Sequence, residues 1–166
     1  MPSVLRQNPS GRGRHIAVAV ARFNEKVTER LLQGALVALR EAGVADDSVT
    51  VAWVPGAFEL PLCCRWLAQT GRFDAVLALG AVIRGDTDHY DHVCRATTDG
   101  VLRVSLDTGV PVAFGVLTCD SEPQAMARAG GSEGNKGADV AVAALAMAAL
   151  RDAIRGGDSE KAHAGS

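Results

Sequence analysis

The chain has 166 residues, 48% of them apolar and 22% charged, with a net charge of −2. That length suits one domain with a core of its own, and the near-neutral balance gives no reason to expect nucleic acid or an anionic membrane as a partner. No run is long and apolar enough for a membrane span, and the opening "MPSVLRQNPSGRGRH" has arginines but no apolar core, so it does not read as a secretory signal.

Residues 1–14 read as a flexible arm, 15–154 as a single domain and 155–166 as a disordered tail. "HIAVAVA" (15–21) is a short dense run that reads as a buried strand. In "NEKVTERLLQGALVALREAG" the apolar residues Val27, Leu31, Leu32, Ala35, Leu36 and Leu39 fall at helical spacing, and Gly43 provides a stop. "SVTVAWV" (48–54) alternates and is β-branched, so it reads as a second strand, broken by Pro55 and Gly56. "ELPLCCRWLAQTG" is a helix with Pro61 in its first turn, and "FDAVLALGAVI" (73–83) a third strand. A long helix over "DHYDHVCRATTDGVLRVSLDTG", a fourth strand over 110–118, a short helix over "EPQAMARAG" and a long one over "NKGADVAVAALAMAALRDAI" complete the order.

Strands and helices alternate, and the strands are continuous apolar runs. That pattern predicts a central parallel sheet covered on both faces, a three-layer α/β/α sandwich of flavodoxin-like outline. The cysteines, at 63, 64, 94 and 119, include no CxxC pair and read as small buried hydrophobes in a reducing compartment, which points to the cytoplasm.

In open parallel sheets the ligand sits beyond the carboxyl ends of the strands. The loops there are "ARFNEK", "PGAFEL", "RGDTDHY" and "CDSEP". In the third, Gly85 permits a sharp turn, and Asp86, Thr87 and Asp88 suit a helix N-cap. Two readings stay open for it: plain capping, or a phosphate cradle of helix-start N–H groups and the Thr87 hydroxyl. The aspartates oppose an anion unless a cation stands near. His89 reads as a surface or capping residue or as a proton shuttle. His89 and His92 lie three apart, where paired helical metal ligands favour four, and no cysteine joins them, so no metal site is expected. "RAGGSEGNKG" (128–137), with Arg128 and Lys136, is either a glycine-rich link or a flexible cationic clamp, and it matches neither GxxxxGK[ST] nor GxGxxG.

Five stretches, "ARFN" (21–24), "GAFELP" (56–61), "GAVIRGDTDHYDHV" (80–93), "GVPVAFGVLT" (109–118) and "RAGGSEGNKG" (128–137), stand in one register over residues 15–154, and in that register the chain resembles the lumazine synthase family. The resemblance implies an enzyme of riboflavin biosynthesis. It would join 5-amino-6-(D-ribitylamino)uracil to 3,4-dihydroxy-2-butanone 4-phosphate, releasing phosphate and water, without cofactor or metal. Carried over by motif, Phe23 would stack on the pyrimidine. Ala57, Phe58 and Glu59 would hold the ribityl chain, and Ala81, Val82 and Ile83 would line the ring through backbone groups. Asp86, Thr87 and Arg128 would take the phosphate, with Lys136 supporting the anion side. His89 would donate the proton and Phe114 would close the pocket. In the family Phe114, Arg128 and Lys136 come from the neighbouring subunit. Position 86 is variable there, and an aspartate would contribute through its backbone N–H. The resemblance further implies pentamers, able to close into a shell of about 60 subunits when the last two helices are joined without an insertion. Riboflavin synthase is a further expected partner. Rival readings are a flavin- or lumazine-binding module without catalysis and a purely structural shell protein; His89 and Arg128 together favour the enzyme.

Overall fold

The computed structural model describes residues 1–6 and 8–164, the segment 157–164 by its backbone alone. Four strands, β1 (Ile16–Ala21), β2 (Val49–Val54), β3 (Ala75–Ile83) and β4 (Val112–Cys119), form one sheet in the order β2-β1-β3-β4. All three pairings are parallel. The helices are α1 (Glu25–Glu41), α2 (Leu60–Gln69), α3 (His89–Thr108), α4 (Glu122–Ala127) and α5 (Lys136–Ala164). The expected three-layer α/β sandwich is what the chain forms.

Strand alternation divides the core in two. Ile16, Val18, Val20, Leu77 and Leu79 turn to one face and pack with Leu31 and Leu39 of α1 and Leu145 of α5. Ala17, Ala19, Val76 and Ala78 turn to the other and meet Leu60 and Cys64 of α2 and Val101 and Val104 of α3. The central strands β1 and β3 are therefore buried on both faces, which is why they read as unbroken apolar runs. The edge strand β2 is half-covered, and Thr50 and Val51 are exposed. Burial pushes the Cys64 thiol up to about 12, with Cys63 beside it adding to the shift. All four cysteines are free, and three of them are buried.

Three features go beyond the expected outline. The arm expected over residues 1–14 is docked at its end: buried Gly11 donates its N–H to Ala42 O at 2.8 Å, and Arg14 pairs with Asp74 and Asp152. The last helix does not stop at 154. Its backbone carries through Gly156 to Ala164, because two glycines weaken a helix without ending it when good formers follow; side chains beyond 156 and residues 165–166 of the expected tail lie outside the described residues. Finally, the glycine-rich link contains a small antiparallel hairpin, β5 (Ala129–Gly131) with β6 (Gly134–Asn135).

That hairpin delivers α5 onto α1 at very close range. A Cβ on Gly137 would stand 2.0 Å from the carbonyl oxygen of Leu31, so only glycine fits. Asn135 seals the junction, accepting from Ala138 N at 3.1 Å and donating to Arg30 O at 3.0 Å.

Candidate active site

The order β2-β1-β3-β4 means that the chain leaves β1 in opposite directions toward β2 and β3, which opens a crevice at their carboxyl ends. A cleft of about 730 Å³ lies there, lined by residues of the first three strand-end loops and the start of α3. Its size suits a small organic ligand.

Phe23 leaves β1 and is 72% exposed, an aromatic ring that packing leaves in solvent. Its backbone N–H is held by Pro55 O at 2.9 Å, and Arg22 N by Val54 O at 2.7 Å, so the first two loops are fastened to each other. Phe58 stands 63% exposed in the second loop, beside Glu59. One Glu59 oxygen accepts from Gly56 N at 3.0 Å, which folds the Pro-Gly turn back on itself. Ala57 is buried, and its carbonyl accepts from the buried Thr97 hydroxyl at 3.2 Å. Ala81, Val82 and Ile83 form the floor from β3. The Ala81 carbonyl is taken by the Asn24 amide at 2.8 Å.

The third loop resolves the capping question in part. Asp88 occupies the N-cap of α3, but its side chain makes no capping hydrogen bond. Thr87 Oγ1 accepts from His89 N only at a long 3.4 Å. The first turn of α3 thus lacks a strong side-chain cap, and Thr87 and His89 stand on the wall of the cleft. Arg84, next in line, does not serve the cradle. Its Nε donates to Asp120 at 2.9 Å, it faces Asp91 at 3.8 Å, and it lies 4.3 Å over the Tyr90 ring. The hydrogen bond to Asp120 raises its pKa further, and Asp91 adds to that. Burial, with Cys94 adding, raises the Tyr90 hydroxyl above the usual phenol range.

Of the expected residues, Phe23, Ala57, Phe58, Glu59, Ala81, Val82, Ile83, Thr87 and His89 line the cleft together. Asp86 lies exposed between two lining residues, Gly85 and Thr87. Phe114, Arg128 and Lys136 do not join them. Phe114 pairs with Ala78, five residues before the end of β4 at Cys119, or about 16 Å down the strand. Arg128 follows α4 and donates to Gln124 O at 3.1 Å, and Lys136 opens α5; both are exposed. Among the described residues, the lining holds no lysine or arginine. Tyr90, His92, Val93 and Pro55 line the cleft without having been singled out for that role. Helical spacing from His89 was the available signal for His92 and Val93. Among the described residues no helix is long and apolar enough to cross a membrane.

A strand-end cleft at the switch point of a parallel sheet, with an aromatic ring, an unused helix start and a histidine around it, defines the class as an α/β enzyme acting on small molecules. The sequence matches the 6,7-dimethyl-8-ribityllumazine synthase family over residues 13–152. It is 47% identical over 155 residues to the 6,7-dimethyl-8-ribityllumazine synthase of Desulfatibacillum aliphaticivorans, covering 93% of this chain and 100% of that one. The chain belongs to the 6,7-dimethyl-8-ribityllumazine synthase family, transferases of riboflavin biosynthesis.

Proposed function

We propose that this chain condenses 5-amino-6-(D-ribitylamino)uracil with 3,4-dihydroxy-2-butanone 4-phosphate to 6,7-dimethyl-8-ribityllumazine. The observation that carries the reading is the single cleft in which Phe23, the β3 floor, Thr87 and His89 meet. The pyrimidine stacks on Phe23, and the ribityl chain runs past Ala57, Phe58 and Glu59. The phosphate sits at the start of α3, on the N–H groups of Asp86 and Thr87 and the Thr87 hydroxyl. The 5-amino group attacks the ketone and an imine forms with loss of water. Phosphate leaves by elimination. The ribitylamine nitrogen then closes the second ring and a second water departs. His89 gives and takes the protons, and holding two reactants in one cleft supplies much of the rate. No cofactor or metal takes part.

The site is shared between subunits. The cleft has no cation of its own among the described residues, while Arg128, Lys136 and Phe114 stand outside it. A neighbouring chain would bring all three, in a pentameric ring joined by heterologous contacts. The link from 128 to 137 carries only a short hairpin, in keeping with pentamers that close into a shell of about 60 subunits. The reading puts the enzyme in the cytoplasm, with riboflavin synthase as a further partner.

Mixing the purified protein with both substrates tests the reaction. Lumazine fluorescence should rise in step with released inorganic phosphate. A folded protein that binds the pyrimidine and yields neither signal would instead be a binding module.

A further inference from the structure

Asn24 departs from local rule twice. With φ 61 it is the one non-glycine residue with left-handed backbone among the described residues. It is also the N-cap of α1, yet its side chain makes no capping hydrogen bond there. Asparagine at an N-cap normally accepts from the first turn. Here the amide Nδ2 donates to Ala81 O at 2.8 Å, across 57 positions of chain.

The reason lies in the sheet. Pairing between β1 and β3 ends at Val20 and Leu79, so the Ala81 carbonyl projects past the last β1 partner. Ala81 is 3% exposed, and a buried carbonyl must find a donor. Asn24 supplies it, and the left-handed turn aims the amide there; asparagine tolerates that turn better than most residues with a Cβ. Phe23, the preceding residue, is thereby fixed on both sides: by Pro55 O through its own N–H, and by the β3 end through its neighbour.

Building on the function proposed above, we infer that Asn24 is a positioning residue, a clamp across the β1–β3 crevice that sets the Phe23 ring at a fixed height over the Ala81–Ile83 floor. The gap between ring and floor selects a flat heterocycle, so the clamp governs the pyrimidine and not the phosphorylated partner.

Two substitutions separate side chain from backbone. Asn24→Asp keeps the size and the tolerance of left-handed backbone but removes the donor. Asn24→Gly keeps the backbone and removes the side chain. Both should raise KM for the pyrimidine by about tenfold and leave KM for the butanone phosphate within about twofold. Hydrogen exchange in the ligand-free protein gives a second reading, because amides of residues 21–26 should exchange faster in both variants. Unchanged pyrimidine KM in both, even with a lowered melting temperature, would reduce Asn24 to a structural residue and overturn the inference. If the wild-type protein makes no lumazine, the function fails on its own account, and unchanged exchange in the two variants would overturn the clamp separately.

Discussion

His89 is exposed on the first turn of α3 and lines the cleft beside Thr87. If it moves the protons of the condensation, His89→Ala should lower turnover by roughly ten- to a hundredfold, since positioning carries the remainder. Steady-state kinetics with both substrates checks this, and an unchanged turnover number removes His89 from the chemistry. Cys64 makes a different kind of prediction. Its thiol is pushed up to about 12 by burial in the α2 layer. The folded protein keeps it protonated where the unfolded chain, with a thiol near the ordinary value of about 8.5, would ionise it. The unfolded state then binds fewer protons, so stability is intact below about pH 8.5 and falls as pH rises toward 12. Denaturant midpoints across that window should slope less steeply in Cys64→Ala than in the parent protein. Equal slopes would mean that the buried thiol contributes nothing to the alkaline limb.

The junction of α1 with α5 shows what the glycines of an element can decide. A methyl group on Gly137 would collide with the Leu31 carbonyl, which belongs to rigid helix backbone. Gly137→Ala should cost about 3 kcal/mol, a drop in melting temperature on the order of 10 °C. Gly156→Ala in the same helix meets open space and should hold or slightly raise the melting temperature; calorimetry of the two variants separates close approach from helix propensity. The strands and helices themselves were legible because long apolar runs and helical spacing carry strong signals, and each of the four strands of the main sheet lies within two residues of its expected position. The hairpin at Ala129–Asn135 was not legible: strands of three and two residues, mostly glycine, have no side-chain periodicity to read. The helical turn at Asp46–Ser48 is short and acidic and left no pattern either. In the cleft, nine of the lining residues could be named from motifs. Asn24 and Thr97 could not, because each acts on a backbone carbonyl far away in sequence, a relation that only the fold creates.

At the scale of the whole molecule, the lining of the cleft holds no lysine or arginine among the described residues. The shared-site reading predicts complementation. His89→Ala and Arg128→Ala, co-expressed with distinguishable tags and purified as mixed rings, should regain activity, because roughly one site in four would pair an intact His89 with an intact Arg128. Mixed rings no more active than the average of the two parents would place the whole site within one chain.

A lining without lysine or arginine among the described residues also gives the cleft an electrostatic sign that ions in solution can read. Among the described residues Glu59 is the one carboxylate of the lining, beside His89 and His92; Asp86 and Asp88 border it, and Arg84 is spent on Asp120. A doubly charged phosphate drifting toward such a mouth is repelled, and added salt, by shortening the Debye length, eases its approach. On the shared-site reading, a neighbour's Arg128 and Lys136 at the rim would reverse the field, and the same salt would slow capture. The slope of the substrate's association rate against ionic strength therefore changes sign with the ownership of the cations: downward for a mouth furnished by two chains, upward for a mouth that one chain must furnish alone.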